Sequence, residues 1–468
     1  MTSKAAAEPA AAEPAAEGLA AGLRQRHLAM LAMGGVIGSG LFVSSGVGIK
    51  LAGPGIVLSF VLAGTLAMLV MRMMAEMAAA IPSSGSFSVH AERAFGPWAG
   101  FAIGWLYWAA LVVVLAVEAT AAAIIVNSWL PGIPQWALVL LFMAVLTAVN
   151  FTAVSRFGEL EFWLALIKVV AVVAFLVLGV LAFLGVLPGT SFVGTTNLLG
   201  NGGLLPNGWE GVGTGLLAVV FTFGGLEVVT IAAAESDDPA HAVGKAVRNA
   251  VVRISVFYIG SMLVIVSLLP WSSVHIGQSP FAAVLERIGI PATGQIMNVV
   301  VLFALLSTLN TNMYGAARMV YSLAQRGHAP RALTKVDRNG VPVFAVAASV
   351  LFGFVAVALN ALWPDTVFQY LLNAVGSVLL IVWILVACTQ LRVRKQLERT
   401  APESLTVRMW GFPYLTWATL AAMIAILAVM TGDADARIQL ISSGVLVAAL
   451  VVAGICWQRA RRTADQTV

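Results

Sequence analysis

The sequence predicts an all-α polytopic membrane protein whose chain crosses the bilayer twelve times, and three observations predict it. Of the 468 residues, 60% are hydrophobic and only 10% are charged, against about 25% charged in a soluble domain. Beyond residue 23 the apolar residues fall into twelve runs, each near the roughly 20 residues that a crossing helix needs. Basic residues then fall almost wholly on one side. With the N-terminus placed inside, only Lys50, Arg287 and Arg437 fall outside and Lys168 falls within a run. The positive-inside rule therefore puts both termini in the cytoplasm, for a multi-pass protein of the cytoplasmic (inner) membrane. A net charge of +5 spread over short loops reports topology and argues against a nucleic-acid partner. Cys388 and Cys456 both lie in apolar runs, so no disulfide framework is implied.

Taken in order, residues 1–23 are rich in Ala, Glu and Pro and carry no large apolar side chain except Leu19 and Leu23. That composition reads as a disordered cytoplasmic tail and not as a signal peptide. Residues 24–458 read as a single transmembrane domain, with a cytoplasmic tail at 459–468. The spans fall at 28–52, 55–79, 98–126, 133–153, 160–186, 210–234, 249–270, 295–323, 343–361, 367–391, 413–431 and 438–457. Pro131-Gly132-Ile133-Pro134 makes a tight turn between the third and fourth spans. The Gly- and Asn-rich segment 187–209 has room for a short gate helix. Gly96, Gly100 and Gly104 at the head of the third span form a packing stripe beside Trp105, Tyr107 and Trp108, which either pack or cover a pathway. Arg72 and Glu76 are spaced i,i+4 and read as a structural pair. Glu159 and Glu161 flank the start of the fifth span and read as loop contacts at the inner surface.

The first span contains Gly34-Gly35-Val36-Ile37-Gly38-Ser39-Gly40-Leu41-Phe42. Each glycine costs a helix roughly 1 kcal/mol against alanine. A membrane helix tolerates an interrupted backbone only where protein or a water-filled cavity satisfies the freed N–H and C=O groups. Close packing through Gly34 and Gly38 is the competing reading. The sixth span contains Phe221-Thr222-Phe223-Gly224-Gly225-Leu226-Glu227, again interrupted by glycine. Paired interruptions five spans apart point to a transporter's binding site, with helices 1 and 6 broken. They divide the chain into two inverted five-helix repeats, 28–186 and 210–391, with 413–457 as two extra helices. Bare N–H groups at such breaks suit a substrate carboxylate, and bare carbonyls suit an ammonium.

Charges inside a membrane are functional candidates because they are expensive. Lys168 lies about eight residues into the fifth span, roughly 12 Å deep. It can carry a coupling proton or serve as a fixed partner of carbonyls. Glu227 follows the second break and suits gating or a proton relay; Glu118 in the third span shares those options, and both also suit helix–helix hydrogen bonds. Ser307, Thr308, Asn310, Thr311 and Asn312 form a polar cluster in the eighth span. They can line a pathway, hold sodium with carbonyls, or bond between helices.

GVIGSGLF at 35–42 and FTFGGLE at 221–227 resemble the amino acid/polyamine/organocation superfamily. MRMMAEMAAAIPSSGSFSVHAERAFGPWAGFAIGWLYW (71–108), SRFGELEFWLALIKV (155–169), IAAAESDDP (231–239), RMVYSLAQRGHAP (318–330) and RMWGFPYLTW (408–417) are similar to its bacterial amino acid permease branch, most of all to γ-aminobutyrate permeases. The resemblance implies a leucine-transporter-type fold of two inverted five-helix repeats plus two helices. It implies a substrate α-carboxylate near Gly38, Ser39 and Gly40, and an ammonium near carbonyls of span one and of Phe223 and Gly224, with Ile37 and Gly225 also among the substrate-binding residues. It further implies an aromatic gate at Phe221, a gating carboxylate at Glu227, and a proton-coupling lysine at Lys168. The likeness departs at Ser39 or Gly40, where those permeases often carry alanine, and at Thr308-Leu309-Asn310-Thr311, where they carry a Cys-Leu-Asn-Ser-like run.

Together these readings describe a secondary transporter that imports a zwitterionic amino acid, γ-aminobutyrate first, by proton symport. The alternatives are an amino acid/amine exchanger and a non-transporting membrane sensor. No Walker-type GxxxxGK[ST] run suggests ATP-driven pumping. No His/Cys cluster suggests a metal, no cofactor is implied, and the short loops leave no room for an enzyme domain.

Overall fold

A computed structural model describes residues 26–27, 30, 35–83, 86–152, 154–228, 230, 239–273, 279–289, 292–364, 366–432 and 434–466. The tail 1–23, Gly34 and the segment 231–238 lie outside the described residues.

Glycine content shapes the first element. The backbone turns at 35–38, passes through a single π-helical turn at Gly40–Ser44 and continues as α1 (Ser45–Ala52). Gly53, at φ 62, then reverses the chain with Pro54 and Gly55 into α2 (Ile56–Ala80). That left-handed conformation suits glycine, and a Cβ on Gly53 would also meet Pro206. Next come α3 (Ser86–Phe95) and α4 (Pro97–Trp129), separated by Gly96 at φ 97. Pro97 opens α4 where a missing N–H costs nothing. After the turn at 131–133, α5 (Gln135–Asn150) and α6 (Val154–Phe183) follow. The segment 187–209 contains the expected short helix, Thr196–Leu199.

α7 (Gly208–Val220) ends in a 3-10 turn, Phe221–Phe223. The backbone then leaves the helix: Gly224 is extended and Gly225 sits at φ 95. The remaining helices are α8 (Pro239–Leu268), α9 (Pro280–Ile288), α10 (Thr293–Gln325), α11 (Val343–Gly353), α12 (Val355–Leu362), α13 (Val367–Thr400), α14 (Tyr414–Met430) and α15 (Ala434–Gln466). α15 runs on through most of the segment expected to be a tail.

Among the described residues, seven helical stretches are long and apolar enough to cross a membrane, the first of them, Gly40–Ala80, holding both α1 and α2. Four shorter apolar helices accompany them: Gln135–Asn150, Gly208–Phe223, Ile254–Leu268 and Tyr414–Met430. The chain is therefore an all-helical, multi-pass membrane protein. Its outer face carries Leu351, Val445 and Trp163, exposed by 67%, 64% and 56%, as a surface solvated by lipid tails requires.

Inside, α1 packs on α7, α2 on α8, α4 on α10, and α5 on α12. Small residues allow the close approaches: Gly104 lies against Leu323, so the glycine stripe of α4 seats α10. The expected Arg72–Glu76 pair is replaced by contacts between helices. Glu76, buried, binds Arg394 at 2.6 Å and Gln390 at 2.7 Å on α13. Arg72 donates to the Arg408 carbonyl at 2.9 Å and stacks on Trp410.

Candidate functional site

The two interrupted backbones meet. A Cβ on Gly40 would fall 2.6 Å from the Thr222 Cα, and one on Gly225 would fall 2.4 Å from the Gly35 carbonyl oxygen. Only glycine allows these approaches. Tyr258 of α8 spans the junction, its hydroxyl lying 2.9 Å from the Val36 carbonyl oxygen and 3.0 Å from that of Thr222.

Side chains from three further helices take up the groups freed at 36–39. The Lys168 ammonium, on α6, donates to the Ile37 carbonyl at 3.0 Å and to the Thr308 hydroxyl at 3.3 Å. Thr308 Oγ1 also lies 3.2 Å from the Ile37 carbonyl oxygen. On the other side, Glu118 of α4 accepts the Ser39 hydroxyl at 2.7 Å and the Ser39 N–H at 3.2 Å. Gly38 lies between them; a Cβ there would meet Thr308 and Glu118 at 2.6 and 2.9 Å. Lys168, Glu118, Ser39 and Ile37 are all buried, so each charge is compensated by backbone or hydroxyl groups.

Glu227 closes the second break. Its carboxylate accepts the Gly225 N–H at 2.9 Å and the Trp383 indole N–H at 2.5 Å, and the side chain is buried. A cavity of about 30 Å³ lies at the junction, above the roughly 10–15 Å³ that a water needs. Gly40, Glu118, Phe221, Gly224 and Gly225 line it, together with Thr308 and Asn312 of the polar cluster and Tyr107 of α4. Ile37, Gly38 and Ser39 of the first break and Lys168, which binds the Ile37 carbonyl, are not among the lining residues. Phe223 turns away from the cavity and packs on Phe60 and Tyr258.

Thr222, Leu111, Val114, Val375 and Leu379 also line the cavity, and sequence reasoning passed over them. An apolar residue in an apolar helix carries no signal of which face it occupies. Glu161 needs a correction. Read as an inner-surface loop contact, it is wholly buried in α6 and bonded to Ser307 and Asn310 of α10. Asn150 of α5 reaches the same Asn310 at 2.8 Å. Glu159, two residues earlier, does lie at a surface, half exposed beside Arg26 and His27. Among the described residues, no group of three or more His, Cys, Asp or Glu side chains could hold a metal.

The chain covers 92% of its length against a crystal structure of a manganese transporter variant from Eremococcus coleocola, and 92% of that protein, at a TM-score of 0.56 and 16% identity. It therefore shares that protein's fold. It is 47% identical over 442 residues to the gamma-aminobutyric acid permease of Bacillus subtilis, covering 94% of each chain. It is 46% identical over 440 residues to an aromatic amino acid transport protein of Corynebacterium glutamicum, covering 93% of this chain and 95% of that one. The gamma-aminobutyric acid permease of Escherichia coli is 42% identical over 434 residues, covering 92% and 93%. The sequence pattern of amino acid permeases matches residues 27–466, nearly all of the chain beyond its first residues. The chain belongs to the amino acid permease family.

Proposed function

We propose that the chain is a secondary active transporter that imports a zwitterionic amino acid, γ-aminobutyrate first, together with a proton across the cytoplasmic membrane. The observation that carries this reading is the junction of the two breaks, where Gly35, Val36 and Gly40 of the first and Thr222, Gly224 and Gly225 of the second converge on one small cavity. The substrate carboxylate binds at Ser39 and Gly40, displacing the Glu118 carboxylate from the Ser39 N–H. The ammonium binds the carbonyls near Ile37, Phe223 and Gly224. Phe221 closes over the substrate, Glu227 holds the second break through Gly225, and Lys168 carries the coupling proton.

Twelve crossings and a leucine-transporter-type plan of 5+5 inverted repeats, 28–186 and 210–391, belong to the same reading. The pairing of α1 with α7, α2 with α8, α4 with α10 and α5 with α12 supports it, since each pair joins spans five apart. Both termini are cytoplasmic by the basic-residue pattern. The relatives include permeases of γ-aminobutyrate and of aromatic amino acids at nearly equal identity. The small cavity with aliphatic walls at Leu111, Val114, Val375 and Leu379 supports the smaller substrate.

Uptake of labelled γ-aminobutyrate into proteoliposomes under an inward proton gradient tests the proposal, with phenylalanine as competitor. Gradient-driven accumulation that phenylalanine leaves intact supports it. Accumulation that requires internal amino acid indicates an exchanger, and stronger uptake of phenylalanine assigns the aromatic substrate. Saturable binding without accumulation indicates a sensor.

A further inference from the structure

We propose that a second cavity, between α4, α13 and α15, binds one acyl chain of an anionic phospholipid. It measures about 200 Å³ and shares no lining residue with the cavity at the breaks. Phe95, Trp98, Leu106, Leu385, Val447 and the Cys388 thiol are among its walls. Its volume far exceeds the roughly 10–15 Å³ of one water, and cavities walled this way stay free of water. Hydrocarbon is the occupant that the walls fit. Leu385, Cys388, Val447 and Val451 are only half-buried, and their neighbours Val445 and Val452 are exposed. The cavity therefore opens on the lipid-facing side of α15.

The charge at its rim selects the headgroup. Arg392 lies one helical turn beyond Cys388, roughly 6 Å along α13. It is exposed, with its guanidinium 5.2 Å from the centre of the Phe95 ring. The carboxylates nearby are engaged elsewhere: Glu92 by Arg326 at 2.5 Å and Glu398 by Arg394 at 2.8 Å. A cation, Arg392, at the mouth of an apolar slot matches a phosphate joined to an acyl chain. A second copy of this chain would fill the slot with side chains but would leave Arg392 without a counter-charge.

Native mass spectrometry of the purified full-length protein, titrated with phosphatidylglycerol or phosphatidylcholine, tests the site. The parent retains phosphatidylglycerol over phosphatidylcholine by roughly fivefold, the factor one cation contributes against anionic lipid. Val451→Trp, filling the slot from α15, loses the retained lipid. Arg392→Gln keeps a bound lipid but reduces the preference. Should Val451→Trp fail to elute as a folded species, Cys388→Phe fills the same slot from α13. Equal retention of the two lipids by the parent overturns the proposal. So does unchanged retention in the filled variants, or a dimer without lipid that these substitutions dissociate.

Discussion

Lys168 and Glu118 hold opposite sides of a single three-residue break. The Lys168 ammonium binds the Ile37 carbonyl at 3.0 Å, and Glu118 accepts the Ser39 N–H and hydroxyl two residues on. Two buried charges of opposite sign thus stabilise backbone that no helix satisfies, at the point where transport is proposed to begin. A change in either charge alters both the shape of the break and the groups offered to a substrate.

Lys168→Ala removes one of these holds and leaves the Ile37 carbonyl without its ammonium, a loss of about 1–3 kcal/mol for a buried group. If Lys168 carries the proton, gradient-driven uptake in proteoliposomes falls to background while exchange of internal for external substrate persists. Gradient-driven uptake that survives in this variant removes Lys168 from the coupling.

Glu118→Gln keeps the side-chain length and weakens the acceptor that a substrate carboxylate must displace from Ser39, since a charged acceptor bonds more strongly than a neutral one. KM for γ-aminobutyrate is expected to fall several-fold, with a lower maximal rate because release is slowed. A higher KM would mean that Glu118 attracts substrate directly.

Gly40→Ala places a methyl group 2.6 Å from the Thr222 Cα, a backbone atom that cannot swing aside. The two breaks are pushed apart. Uptake is expected to be lost although the protein still elutes as a folded species, because α1, which follows the π-helical turn, keeps its packing on α7. Wild-type uptake in this variant would show that the breaks need not touch.

The breaks are legible in the sequence because glycines crowded into an apolar span have few uses in lipid. Lys168 is legible because an ammonium at that depth needs a partner. Neither signal says which neighbour supplies the partner. Tyr258 and Trp383, which reach the two breaks from α8 and α13, sit in apolar runs like any packing aromatic. Glu161 is misread for a different reason. The polar residues Arg156, Glu159 and Glu161 delay the hydropathy signal, whereas α6 already begins at Val154. Glu161 is therefore two turns into the helix, facing Ser307, when the apolar run has scarcely started.

Trp383→Phe removes the indole N–H from the buried Glu227 carboxylate and keeps most of the apolar contact. A buried acceptor stripped of a donor costs about 1–3 kcal/mol, so thermal unfolding in detergent should move to lower temperature. Adding Glu227→Gln to this variant should recover part of the loss, because a neutral amide tolerates burial better. If the double variant is less stable than Trp383→Phe alone, Glu227 owes its place to something other than the indole.

His90 gives a pH dependence outside the spans. It is buried in α3, and neither ring nitrogen has a hydrogen-bond partner among the described residues. Burial, with Arg93 and Arg326 nearby, lowers its pKa from 6.5 to about 3. Between those values the unfolded chain binds a proton that the folded chain refuses, so stability falls as the pH drops below 6.5. At pH 5 the loss from this one group is about 2 kcal/mol. His328, lowered to about 3 by burial and by Arg326 and Arg461, acts in the same direction. The unfolding temperature should therefore drop between pH 7 and pH 5, and His90→Gln, which cannot titrate, should flatten that drop while leaving the His328 contribution. A slope identical in parent and variant would place the acid sensitivity elsewhere.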